Sequence, residues 1–144
     1  MSPRSKLLFL ALVIAQGTHT VEEYVTRLFE VFAPARFVSG LVSDDLALGF
    51  VVINAVFIGV GVWCYVGPVR AGGLAGRVAA VVWVAIELAN SLGHITIAAL
   101  SGAYFSGLLT AVLLLGTAVC LAISLLADRT RGKPVAVSTM ESTR

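Results

Sequence analysis

Both histidines of this chain, His19 and His94, lie in stretches otherwise apolar enough to read as membrane helices, and so do three of its eight acidic residues, Glu22, Glu23 and Glu87. Gln16, Asn54 and Asn90 fall in the same stretches. A charged side chain at membrane depth costs about 2.5–3.5 kcal/mol on insertion scales, so such residues are read first as a functional site. Helical spacing groups them. Gln16, His19 and Glu23 stand at i, i+3 and i+7, with Glu22 three residues after His19, and Glu87, Asn90 and His94 repeat the i, i+3, i+7 pattern. Each set occupies one face of its helix.

These residue types support three kinds of chemistry. The first is proton transfer of isomerase, cyclase or hydrolase type on a lipophilic substrate. Out of water a neutral carboxyl becomes a usable general acid, and adjacent Glu22 and Glu23 can divide the acid and base roles. His19 and His94 would shuttle the proton, with Glu87 and Asn90 completing the catalytic set. Asn54, Gln16, Trp83 and Tyr104 are the expected substrate contacts, although Tyr104 near a helix end also reads as an interfacial anchor and Trp83 as core. The second chemistry is a metal site drawn from His19, Glu22, Glu23, Glu87 and His94. Two imidazoles and carboxylates suit Zn²⁺ or non-haem iron. The paired E-x-x-H pattern of di-iron bundles is absent, as is H-E-x-x-H. The third is a proton relay or carrier, or a polar clamp between helices. A carrier of this size without an internal repeat would call for a homo-oligomer.

The elements that would position these groups follow from composition. Of 144 residues, 58% are hydrophobic and 12% charged, and the mean hydropathy is +0.97. A soluble domain carries about twice that share of charge. A net charge of +2 with no basic run interleaved with aromatics excludes a nucleic-acid partner. The partners expected instead are membrane lipid and a lipophilic small molecule. A membrane helix needs roughly 20 apolar residues, and four such stretches appear: Leu7–Phe32, Leu46–Val66, Arg77–Leu100 and Phe105–Ala127. The expected fold is all-α, an integral membrane bundle of four transmembrane helices formed by residues 1–127. Residues 128–144 read as a polar, disordered cytoplasmic tail. Gly67, Pro68, Gly72 and Gly73 are the expected break between the second and third helices, and Ser101 and Gly102 the one before the fourth. Between Ala33 and Asp45 a linker is expected, with Phe37, Leu41 and Val42 at the interface. Arg4, Lys6 and the apolar stretch to Ile14 also resemble a cleavable signal peptide, but the apolar period continues through Val21, Val25, Leu28 and Phe32. Cys64 and Cys120 sit in apolar runs and read as buried, inert thiols. Gly49, Gly59, Gly61 and Gly107 read as close-packing positions.

Charge sets the orientation. Arg4, Lys6, Arg70, Arg77, Arg129, Arg131 and Lys133 flank one side of the four spans, and only Arg27 and Arg36 flank the other. That bias places both termini in the cytoplasm of a multi-pass cell-membrane protein. At 1.5 Å per residue, His19, Asn54 and Asn90 all fall about 18 Å above the cytoplasmic face, with Glu22, Glu23 and His94 about 24 Å up and Glu87 about 13 Å up. Three helices thus deliver polar groups to one zone of the membrane, centred in its outer half.

Three short motifs carry a resemblance. His19-Thr20-Val21-Glu22-Glu23 is H-x-x-E-E, Asn90-Ser91-Leu92-Gly93-His94 is N-x-x-x-H, and Tyr104-Phe105-Ser106-Gly107 is similar to Y-x-P-G with serine in place of proline. Their order and spread over residues 7–127 resemble the HXXEE domain family of small, mainly bacterial membrane proteins. The resemblance implies a membrane-embedded site built on these residues and assigns no reaction to it.

Overall fold

A computed structural model describes residues 1–131. Its α-helices are α1 (Pro3–Val25), α2 (Leu28–Val31), α3 (Ala33–Gly40), α4 (Leu46–Cys64), α5 (Leu74–Ser101) and α6 (Leu108–Arg131), with no strand among the described residues. Three stretches are long and apolar enough to cross a membrane: Leu46–Val69, Leu74–Ser101 and Leu108–Thr130. Among the described residues the chain is therefore all-helical with three candidate spans. With 23 residues α1 is long enough as well, but it carries Arg4, Lys6, Glu22 and Glu23 and is much less apolar than the other three.

The ends of the helices fix how they run. The Met1 ammonium donates to the Gly72 carbonyl (3.1 Å) and the Ser2 amide to Asp128 Oδ2 (2.7 Å), so the start of α1 sits beside the ends of α4 and α6. At the opposite end Glu22 meets the start of α6. α1 and α5 therefore run one way, α4 and α6 the other. α6 packs along both α1 and α5, whereas α4 leans on α1 and meets α5 chiefly through Phe57 and Trp83. Phe9, Leu12, Val13, Trp83, Leu114 and Leu121 are core residues. The apolar stretch that resembles a signal peptide thus supplies Phe9, Leu12 and Val13 to the interior of the bundle.

The first helix ends seven residues earlier than the periodicity predicts. Arg27 adopts a left-handed conformation (φ 56°), and the Thr26 hydroxyl bonds back to the Glu22 carbonyl (2.7 Å). Pro34 lacks the N–H that a continuing helix would need. The chain instead turns into an arm, α2–α3. Arg27 pairs with Glu30 and Arg36 reaches the Glu30 carbonyl, so the arm's bend is tied by its own charges. The Arg27 guanidinium holds the Glu30 carboxyl below its usual range. The expected linker is therefore largely the helix α3, and Phe37, Leu41 and Val42 do project outward from it.

α3 is clamped to α4 at a glycine. A Cβ on Gly49 would lie 2.1 Å from the Ser39 carbonyl oxygen. Gly49→Ala is expected to unseat the arm at a cost of about 1–3 kcal/mol, the usual penalty of overpacking. Hydrogen exchange checks it: amides of residues 28–40 should exchange faster while those of α6 hold, and an unchanged arm would refute the clamp.

Gly67 and Pro68 do not break the second span. The helix passes through a π turn, Tyr65–Val69, and the break comes at Gly72 (φ 80°) and Gly73. The wider i→i+5 bonding accommodates a proline that an α-helix interior would not. α6 starts at Leu108, three residues later than predicted, and continues through Asp128 to Arg131. The first four residues of the expected tail are thus helical, and the rest of it lies outside the described residues. Cys64 is half-buried and Cys120 exposed, so the thiols are not both buried as expected.

Candidate functional site

Helical spacing on α1 and α5 brings His19, Glu23 and His94 together. Glu23 Oε1 lies 3.4 Å from His19 Nε2 and 3.1 Å from His94 Nε2. The imidazoles meet edge to face, with ring centres 4.7 Å apart. All three side chains are buried, and one potential ligand atom from each lies within 4.8 Å of the others. Ligand atoms about 2.0–2.2 Å from a shared ion stand roughly 3.0–3.5 Å apart at tetrahedral or octahedral angles.

The outer hydrogen bonds fix the tautomers. His94 Nδ1 lies 2.6 Å from the Ser106 carbonyl oxygen, an acceptor only, so Nδ1 carries the hydrogen. The Thr110 hydroxyl donates to Glu22 Oε2, which leaves Thr110 Oγ1 to accept from His19 Nδ1–H at 2.9 Å. In the neutral imidazoles both Nε2 lone pairs therefore point inward at the same carboxylate. Three facing acceptors repel unless a cation, a proton or a metal ion, sits among them. A histidine ligand that donates its other N–H to a carbonyl or to a carboxylate-linked hydroxyl is the usual outer shell of a protein metal site.

Glu22 has a different task. It accepts from the Leu109 amide (3.1 Å), the Thr110 amide (2.7 Å) and the Tyr104 hydroxyl (2.6 Å). It therefore caps the N-terminus of α6 from a neighbouring helix, where the helix dipole favours an anion. Gly107, the residue before α6, has no side chain to do this, and it has none for a reason. A Cβ there would lie 2.8 Å from both His19 Cε1 and His94 Nδ1, and its φ of 84° is left-handed. The close-packing reading of Gly107 is thus specific to two imidazoles.

Of the five expected ligands, three converge, while Glu22 faces α6 and Glu87 sits deeper. Glu87 is fully buried, and neither of its oxygens is paired with a donor in good hydrogen-bond geometry. Two of the expected substrate contacts, Gln16 and Asn54, and three of the expected catalytic residues, Glu23, Asn90 and His94, line a cavity of about 360 Å³, together with Phe50, Phe57 and Ile86 and under the arm at Phe32 and Val38. It lies where α4 and α5 diverge. A smaller one, about 170 Å³, reaches Asn90 and His94 from the other side of Phe32. Trp83 does not line either; it stacks on Phe57 at 4.6 Å and backs the wall. Tyr104 is exposed, donates to Glu22 and lines neither cavity.

Sequence reasoning missed Thr110, Ser106 and Thr20. Thr20 links Gln16 to Asn54: Gln16 Nε2 donates to its hydroxyl (3.2 Å), which donates to Asn54 Oδ1 (3.1 Å). Thr110 acts through its bond to α1, and only its place three residues after the Gly107 turn hints at that. No protein-family model, no curated protein and no solved structure matches this chain.

Proposed function

We propose that the chain is a multi-pass membrane protein whose His19, Glu23 and His94 hold a transition-metal ion, Zn²⁺ or non-haem iron, to act on a lipophilic molecule. The observation that carries this reading is the commitment of both Nδ1–H groups outward, which leaves two imidazole lone pairs facing one carboxylate oxygen at 3.4 and 3.1 Å. Two histidines and one carboxylate leave coordination positions open for substrate. Such an ion would polarise a bound oxygen as a Lewis acid. Glu23 and His94 also line the cavity, whose walls are mostly apolar and which lies where α4 and α5 part, so a substrate dissolved in lipid reaches the ion without crossing water. With α1 as a fourth span and both termini cytoplasmic, the centre lies in the outer half of the bilayer. The H-x-x-E-E and N-x-x-x-H residues of the HXXEE resemblance are then ligands and their immediate support.

The test is elemental analysis of protein purified in mild detergent without chelators. A stoichiometric metal is expected, lost in His94→Ala and in Glu23→Gln. Metal-free wild-type protein that stays metal-free on Zn²⁺ or Fe²⁺ titration would sink the reading. It would favour a second one, supported by the 3.1 Å contact between Glu23 and His94 at the cavity wall: a shared proton there, and acid–base catalysis by the pair.

A further inference from the structure

The far end of the bundle from the two histidines holds a second site of a different kind. Arg77 stands in the first turn of α5 and Arg129 in the last turn of α6, at the end where Lys6 donates to the Arg70 carbonyl. Both arginines line one cavity of about 500 Å³, and every other residue on its wall is leucine, valine or alanine, Val84 and Leu125 among them. A second apolar groove, about 210 Å³, shares Leu74, Arg77 and Val81 with the first and continues to Val78 and Val82. Arg77 and Val81 therefore form a rib with an apolar groove on either side.

Neither guanidinium is neutralised by the protein. The ion pairs among the described residues leave both arginines out. Asp128 is the one acid at this end among the described residues, and its Oδ2 accepts from the Ser2 amide and the Ser5 hydroxyl of the first helix. Glu87, the next acid along α5, stands ten residues, or about 15 Å, deeper. Two unpaired cations beside two apolar grooves restrict the occupant. A soluble anion would meet the charge and leave the grooves uncovered. A second copy of the chain would cover the grooves and bring arginine against arginine. An anionic headgroup with two acyl chains meets both demands. Depth agrees: Arg77 to Val84 and Arg129 to Ala122 are each seven residues, about 10 Å along the helix, against a hydrocarbon half-thickness of about 15 Å.

We propose that this end of α5 and α6 binds one anionic phospholipid, its phosphate held by Arg77 and Arg129 and its acyl chains on either side of the Arg77–Val81 rib. The guanidinium fork matches phosphate oxygens in pairs, and basic pockets between membrane helices take such headgroups. The site is separate from the His19–Glu23–His94 cluster. His94 is seventeen residues from Arg77 along α5, about 25 Å, so lipid binding here does not rest on the metal reading.

Native mass spectrometry of the full chain in detergent, titrated with phosphatidylglycerol and with phosphatidylcholine of the same acyl chains, tests this. Wild type should bind one phosphatidylglycerol with a preference of roughly thirtyfold, about fivefold from each arginine. Arg77→Gln and Arg129→Gln should each lose about fivefold, and the double variant the whole preference. Val81→Trp keeps both arginines and sets an indole on the rib, so it should weaken binding of both lipids. Arg70→Gln, at the same end but lining neither groove, should change nothing. Equal affinity for the two lipids in wild type, a loss in Arg70→Gln as large as in Arg77→Gln, or undiminished binding in Val81→Trp each overturns the proposal. Lipid-free dimers of wild type that Val81→Trp abolishes would assign the grooves to a second copy instead.

Discussion

Gly107→Ala should abolish metal binding and lower stability by about 2–5 kcal/mol. Two penalties add. The methyl would overlap both imidazoles at 2.8 Å, an overpacking cost of about 1–3 kcal/mol, and a left-handed backbone costs an L-residue another 1–2 kcal/mol or so. Neither ring can yield freely. His94 is tied to the Ser106 carbonyl and His19 to Thr110, so displacing either breaks the tautomer arrangement that aims Nε2 inward. The control is Gly116→Ala within α6, where a Cβ meets nothing within 4 Å. Thermal unfolding in detergent and metal titration of both variants decide the matter. Gly107→Ala binding metal as tightly as Gly116→Ala would refute the packing account.

Glu22→Ala should cost about 2–3 kcal/mol, from loss of a helix cap whose bonds are charge-assisted. It should also weaken metal affinity roughly 10–100-fold, the usual effect of removing an outer-shell partner. The second effect is the informative one. Glu22 is no ligand in this geometry; it acts through the Thr110 hydroxyl, whose hydrogen it takes so that Thr110 can accept from His19. Thr110→Val should therefore reproduce much of the affinity loss with less of the stability loss. If Glu22→Ala unfolds early yet binds metal normally, the link through Thr110 is wrong.

What was legible in the sequence was whatever a helix period carries. The i, i+3, i+7 spacings placed His19 and Glu23 on one face, His94 on another, and depth arithmetic brought the faces level. Periodicity could not separate the two adjacent acids. Their side chains leave α1 about 100° apart, and that angle sends Glu22 to α6 and Glu23 to the histidines. It also could not see Thr110, which matters through a long-range bond to α1 and not through its own helix. The end of α1 was misplaced because Val25, Leu28 and Phe32 keep the apolar period going across a left-handed residue, Arg27, whose conformation leaves no hydrophobic signature. Pro68 misled for the opposite reason: the strongest local breaker in the segment is absorbed by a π turn.

The first helix packs chiefly along the last. α1 is also the least apolar of the long helices and carries two of the three converging side chains. His94 comes to them from α5, and the groups that orient the two imidazoles, the Ser106 carbonyl and the Thr110 hydroxyl, come from the start of α6. The site is thus closed by the two ends of the fold: a chain cut before Ser106 would keep His19, Glu23 and His94 and lose both groups that aim the rings at the carboxylate.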